Sequence, residues 1–161
     1  MVEDLAQFSF KKLLSSESQL LTWKADGKLP YDQLSQENAI VISSSLDTGM
    51  IVPYIIDPSN ASTQWIRYFL RSRKVATEEC GCKENPRFSS QIELAVRFGK
   101  VLVLWDCDEI KPILYPLIRK DLNHEGPRYV VRVGEKLVDF HEDFRMVCVT
   151  RHANVELPPD A

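Results

Sequence analysis

The pattern of apolar and polar residues predicts strands that alternate with amphipathic helices. Short apolar runs rich in β-branched residues are typical of strands buried in a parallel sheet. Apolar residues at helical spacing are typical of helices that cover such a sheet. The predicted strands are 51–56, 73–76, 101–105, 129–133, 137–140 and 146–150, and the predicted helices are 34–42, 61–70, 88–98 and 113–122. This alternation predicts βαβ crossovers and a three-layer α/β sandwich with a mostly parallel sheet.

Two segments do not follow this alternation. Residues 3–22 carry apolar groups interrupted by a serine-rich stretch, which predicts two short helices. We expect residues 1–22 to form a helical segment that docks on a domain covering residues 23–161. The polar stretch 77–86 predicts an exposed loop.

Composition and charge exclude several classes of partner. The 161 residues suffice for one domain with one core, and the net charge of −3 gives no basic field for phosphate backbones or anionic lipid. We therefore expect no nucleic-acid partner and no membrane partner. No stretch approaches the roughly 20 apolar residues that span a bilayer, and the N-terminus lacks a signal-peptide core. We expect an intracellular protein whose four cysteines form no disulfide framework.

The loop after the strand predicted at 51–56 is the first place to look for chemistry, because ligands of open α/β sheets bind beyond the carboxyl ends of strands. A phosphate-binding loop needs glycines and a lysine followed by a hydroxyl residue. The segment here is Asp57, Pro58, Ser59, Asn60 and Ala61. Pro58 lacks a backbone donor, and Asp57 places a negative charge where a phosphate would lie. We expect a degenerate phosphate loop in which Asp57 and Ser59 cap the next helix.

Acidic residues follow the strand predicted at 101–105. Asp106 lies where P-loop enzymes hold the carboxylate that organises magnesium, but the acid expected next to it is replaced by Cys107. Together with Asp108 and Glu109, Asp106 fits either a hard-cation site or a group of solvated acids. We favour solvated acids, and predict no metal site there.

The strand predicted at 146–150 ends where P-loop enzymes place a polar residue that senses the terminal phosphate. Thr150 and Arg151 occupy this position. Without a phosphate loop, we expect Arg151 to form an ion pair with Asp106 or Asp57.

Other catalytic and metal-binding patterns are missing from the sequence. Cys80 and Cys82 lack a second ligand pair at zinc-site spacing, and the three histidines are scattered. No serine or cysteine lies in a recognisable nucleophile elbow. We expect no catalytic residue in this chain.

A series of motifs, in order across about residues 20–161, resembles a known family. The motifs are Trp23, Leu29-Pro30, Ser35-Gln36-Glu37-Asn38-Ala39, Ile55-Ile56-Asp57-Pro58-Ser59 with Ala61, Glu93-Leu94-Ala95-Val96-Arg97-Phe98-Gly99-Lys100, Pro112-Ile113-Leu114-Tyr115-Pro116-Leu117, Gly126-Pro127-Arg128, Asp139-Phe140, Thr150-Arg151 and Leu157-Pro158-Pro159-Asp160. The chain resembles the large subdomain of the fifth AAA module of dynein heavy chains, which has a P-loop NTPase-like fold.

This resemblance implies a structural part of a motor. In that family a ring of AAA modules converts ATP hydrolysis, mainly in the first module, into movement along microtubules. The fifth module lies just after the stalk and carries a coiled-coil brace on its small subdomain. The resemblance implies a non-hydrolysing AAA+ large subdomain, cut before its lid, that relays ring motion towards the stalk.

The same resemblance implies the partners and the location. The partners would be neighbouring AAA modules of the same chain and the stalk and brace coiled coils, with microtubules reached only through the parent protein. ATP and magnesium would be cofactors of other modules and not of this one. The location would be the cytoplasm on the cytoskeleton, or the ciliary axoneme. Two alternatives stay open: a regulatory module that binds ATP or ADP, and an independent small α/β NTPase-like enzyme.

Overall fold

The computed structural model describes residues 17–27, 29 and 32–154 and divides the chain into two compact units, Met1–Ser44 and Ser45–Ala161. Residues 17–25 form helix α1 as far as the description extends. The predictions for residues 1–16 lie outside the described residues. The predicted division between residues 22 and 23 stays a prediction.

Helix α2 covers Gln33–Thr48. The apolar spacing of residues 34–42 predicts this helix, and Gly49 is predicted to end it. Asp32 Oδ1 accepts a hydrogen bond from the Ser35 amide at 2.8 Å, which caps the start of the helix. Gly49 ends the helix, as predicted, with φ of 62°, a conformation that strains residues with a Cβ atom.

A four-stranded parallel sheet forms the centre of the unit Ser45–Ala161. Its strands are β1 (Tyr54–Ile56), β2 (Thr77–Gly81), β3 (Val101–Trp105) and β7 (Arg145–Thr150), in the spatial order β1-β7-β3-β2. The register pairs Ile56 with Thr150 and Leu104 with Cys148. The prediction of a mixed α/β fold with a parallel sheet is confirmed.

Helices cover both faces of this sheet. They are α3 (Ala61–Ser72), α4 (Phe88–Phe98) and α5 (Tyr115–Arg119), which follows a 3₁₀ turn at Pro112–Leu114. Successive residues of a strand point to opposite faces. Leu102 and Leu104 share one core with α4 and α5, whereas Val103 and Trp105 line a groove beside α3.

A second, antiparallel sheet precedes β7. It consists of β4 (Leu122–Glu125), β5 (Arg128–Val133) and β6 (Lys136–Asp139), in that order. The pattern of residues 113–122 predicts one helix, but this prediction is wrong at its end. Helix α5 ends at Arg119 because Lys120 adopts a left-handed conformation, with φ of 54°. The next residues pair with β5 instead.

The predicted strand 73–76 is also wrong, and so is the part of the predicted loop at residues 77–81, whereas residues 82–86 do form a loop. Arg73 caps the end of α3, and β2 begins at Thr77. Cys80 and Cys82 are buried, at 2% and 3% exposure. The strand has a polar sequence because it lies at the edge of the sheet, where Glu79 reaches the exposed Arg67. Among the described residues, no helix combines the length and the apolar character needed to cross a bilayer.

Candidate functional site

The carboxyl ends of β1, β3 and β7 lie side by side at one edge of the parallel sheet. The Asp57 amide donates a hydrogen bond to the Thr150 carbonyl at 2.8 Å, and the Cys107 amide donates to the Val149 carbonyl at 2.9 Å. The loops that follow these strands are therefore neighbours. This edge is where a ligand of an open α/β sheet would bind.

The Asp57 carboxylate lies against the start of helix α3. It accepts hydrogen bonds from the amides of Ala61 at 3.1 Å, Ser62 at 2.9 Å and Thr63 at 3.2 Å. The hydroxyls of Ser62, at 2.5 Å, and Ser59, at 3.1 Å, also donate to it. These amides are the first donors of the helix, which have no partner within the helix itself. Asp57 therefore occupies the position that an anion would take at this helix terminus.

The rest of this turn supports the Asp57 cap. Pro58 is exposed, and Asn60 adopts a left-handed conformation with φ of 62° and makes no capping hydrogen bond with its side chain. The Ser59 hydroxyl also accepts a hydrogen bond from the Ala61 amide at 3.4 Å. The cap expected of Asp57 and Ser59 is thus present.

Local electrostatics keep Asp57 ionised. Its residue exposure is only 5%, and burial acts to raise the pKa of the carboxyl. Hydrogen bonds from the Ser62 hydroxyl, the Thr63 amide and the Ser59 hydroxyl outweigh burial and leave the pKa below its usual value. The positive end of the α3 dipole favours the same charged form.

Asp108, and not Asp106, is the carboxylate that contacts β7. Its Oδ1 accepts a hydrogen bond from the Thr150 hydroxyl at 2.6 Å, and its Oδ2 lies 2.5 Å from Lys83 Nζ and 3.4 Å from His152 Nε2. Lys83 and then Thr150 hold the pKa of Asp108 below its usual value. Asp106 is exposed, with φ of 52°. This left-handed residue redirects the chain, and no pattern in the sequence announces it.

The ion pair expected of Arg151 is wrong. Arg151 is exposed, and within residues 32–154 no ion pair joins it to Asp57 or Asp106. The physical reason is that the acceptors of Asp57 already face five donors at the start of α3. Sequence reasoning also missed Lys83 and His152, which lie in different loops and form no motif together.

Three buried thiols lie beneath this edge, at Cys82, Cys107 and Cys148. Hydrogen bonding to Cys107, together with burial, raises the pKa of the Cys82 and Cys148 thiols and keeps them protonated. The Tyr54 hydroxyl donates to the Cys107 carbonyl at 2.5 Å, and burial raises the pKa of Tyr54 to about 12. Cys82, Cys148 and Tyr54 are therefore held as neutral core groups, not as activated nucleophiles.

All four cysteines are free. Within the described part of the chain, no three His, Cys, Asp or Glu side chains are grouped so as to hold a metal ion. Of the acidic residues that follow β3, Asp108 contacts Thr150, Lys83 and His152.

Comparison with known proteins identifies the family of this chain. Residues 21–161 match the family described as the ATP-binding dynein motor region. The chain belongs to this family. The match covers both the parallel sheet of this dynein motor region and the small antiparallel sheet that precedes β7.

The chain is similar to several named dynein heavy chains. The motor region is 45% identical over 160 residues to cytoplasmic dynein 2 heavy chain 1 of Tripneustes gratilla, covering 98% of this chain. It is 46% identical over 156 residues, or 97% of this chain, to the protein of the same name from Chlamydomonas reinhardtii. Identity to the cytoplasmic dynein heavy chain of Drosophila melanogaster is 31% over 155 residues, or 96% of this chain. The chain spans 4%, 4% and 3% of these three relatives.

Proposed function

We propose that this chain is the large subdomain of the fifth AAA module in a heavy chain of the dynein 2 class. In this proposal the module binds no nucleotide for hydrolysis and acts as a structural part of the motor. It relays conformational change of the ring towards the stalk. The higher identity to the dynein 2 heavy chains than to the Drosophila protein supports the class.

The observation that carries the proposal is the position of the Asp57 carboxylate. The amides of Ala61, Ser62 and Thr63 all donate to it, at 2.9 to 3.2 Å. A phosphate bound by the start of α3 would need these same donors. The carboxylate would have to leave them, or to remain beside the phosphate and repel it. Either route opposes the binding of a triphosphate at this turn.

The side chains that would be needed to bind the phosphates and magnesium of ATP are also absent or already engaged. Residues 29–73 contain no lysine that could reach a terminal phosphate. The threonine hydroxyl at the end of β7, Thr150, donates to Asp108, which is itself paired with Lys83. The residues around the turn therefore do not fit the ATP that the family description implies, and no chemical step is assigned to them.

The proposed partners follow from this role. They are neighbouring AAA modules of the same polypeptide and the stalk and brace coiled coils, and microtubules are engaged by the parent motor elsewhere. ATP and magnesium act in other modules. The names of the dynein 2 relatives support a cytoplasmic location, and we extend this to the cytoskeleton, including the ciliary axoneme.

Isothermal titration of the 161-residue chain with ATP and magnesium tests the proposal. We expect no saturable heat up to about 1 mM ATP, which corresponds to a binding free energy weaker than about −4 kcal/mol. Micromolar affinity without phosphate release would support the regulatory alternative. Phosphate release that follows saturation kinetics would support the enzyme alternative. Either result would refute the structural role.

A further inference from the structure

The last turn of helix α2 lies at the edge of the sheet opposite to Asp57, just before β1. A helix ends in carbonyl groups without partners and in the negative end of its dipole, and both attract cations. The last turn of α2 contains no basic residue of its own. Its cationic partners come from elsewhere in the unit Ser45–Ala161.

Arg145, the first residue of β7, provides the most extensive of these contacts. Its Nε donates to the Leu46 carbonyl at 2.9 Å, and its Nη1 donates to the carbonyls of Glu142 at 2.7 Å and Phe144 at 2.8 Å. One planar guanidinium therefore joins α2 to the start of β7. Because an arginine fork is rigid, these hydrogen bonds fix the direction of the side chain as well as its charge.

Two further cations hold neighbouring residues of the same turn. Arg73, at the end of α3, forms an ion pair with Asp47, with a second hydrogen bond from Nη2 to Oδ2 at 3.3 Å. Lys120, at the end of α5, donates from Nζ to the Gly49 carbonyl. Leu46, Asp47 and Gly49 are thus bound by cations from three different elements.

We propose that Arg73, Lys120 and Arg145 form a clasp that anchors the last turn of α2 to α3, α5 and β7 together. A force on residues 46–49 would then reach the parallel sheet through β7, which pairs with both β1 and β3. At its other end β7 carries Thr150, the partner of Asp108. The clasp stands on its own contacts, and its use as a relay rests on the proposed function.

Glycine at residue 49 is part of the same arrangement. A Cβ atom added to Gly49 would lie 2.5 Å from Cζ of Arg145, and the backbone has φ of 62°. Gly49→Ala should therefore displace the guanidinium without removing its positive charge. This substitution offers a second way to open the clasp.

Amide hydrogen exchange of the full 161-residue chain tests the proposal. In Arg145→Met we expect residues 46–52 to exchange about tenfold faster or more, because charge-assisted hydrogen bonds at the helix end are lost. Helix α4 should keep its protection. Arg97→Met, an exposed arginine in the last turn of α4, is the matched control and should leave residues 46–52 unchanged.

Two further variants keep the test decisive. Gly49→Ala should also accelerate exchange at residues 46–52, both by displacing the guanidinium and by straining the left-handed backbone. In the double variant only the first of these effects should be redundant with Arg145→Met. If Arg145→Met does not fold, Lys120→Met at an exposed residue should still accelerate exchange at residues 46–52. Equal exchange in Arg145→Met and Arg97→Met, or a uniform acceleration of all amides, would overturn the clasp. These variants leave the turn after β1 intact, so this test and the ATP titration fail independently.

Discussion

Replacing Asp57 by alanine should destabilise the chain strongly, because one buried carboxylate serves five donors. The variant removes the acceptor of the Ala61, Ser62 and Thr63 amides. Thr63 is only 8% exposed, so water can replace the carboxylate at that amide only in part. The variant also removes the negative charge that complements the start of α3.

The expected loss follows from these separate contributions. Removal of a helix cap costs about 1 to 2 kcal/mol, and the lost interaction with the helix dipole adds up to about 1 kcal/mol. A buried donor left without a partner adds about 1 kcal/mol or more. We expect Asp57→Ala to lower the free energy of unfolding by about 3 kcal/mol. Asp57→Asn keeps one oxygen acceptor and should lose about half as much.

Urea unfolding followed by circular dichroism measures this loss. With a denaturant slope of about 2 kcal/mol per molar, the midpoint for Asp57→Ala should fall by about 1.5 M. Asp106→Asn removes an exposed carboxylate from the neighbouring loop and should change stability by less than about 0.5 kcal/mol. The reasoning is refuted if Asp57→Ala and Asp106→Asn unfold at the same midpoint.

Further predictions concern acid stability, the core and the thiols. Because the folded pKa of Asp57 is lowered, its contribution is complete above about pH 4 and disappears as the pH falls through that folded value. The stability difference between the wild type and Asp57→Asn should therefore shrink from pH 7 to about pH 2, and an equal difference at both pH values would contradict this sign. Ile92→Ala, at 0% exposure, should cost about 3 kcal/mol in urea unfolding, whereas Leu94→Ala, at 44% exposure, should cost less than about 1 kcal/mol; equal losses would contradict the assigned face of α4. The four buried thiols should react with a chromogenic disulfide reagent slowly in the native chain and completely in urea, and rapid native reaction would contradict their burial.

Elements with strong apolar patterns could be predicted from the sequence. Helix 88–98 and strand 101–105 are found with these same bounds, at Phe88–Phe98 and Val101–Trp105. The strand is buried at four of its five residues, and the helix buries Phe88, Ile92, Ala95 and Val96 on one face, so both elements leave a clear apolar pattern in the sequence. Gly99 separates them with φ of 65°. The cap formed by Asp57 was also predictable from the sequence. An acid next to a helix start lies close to the free amides of the first turn, and few other acceptors compete for those amides.

Elements whose position depends on distant residues could not be predicted. Strand β2 has the polar sequence of a loop, and it becomes a strand because β3 offers five register partners along one side. The partner of Thr150 was missed because a left-handed Asp106 turns Asp108, two residues further on, towards β7. The expected pairing of Arg151 failed because the hydrogen-bonding capacity of Asp57 is already used within its own turn. Backbone reversals and competition between partners are tertiary effects that a linear pattern does not contain.

The most direct test of the account is an NMR titration that follows the amides of Ala61, Ser62 and Thr63 while ATP and magnesium are added to the labelled chain. These amides donate to the Asp57 carboxylate, so the account predicts that their chemical shifts stay constant up to about 1 mM ATP. Saturable shifts of the same amides at micromolar ATP would show that a phosphate displaces the carboxylate. That result would contradict a structural module whose own aspartate fills its anion position.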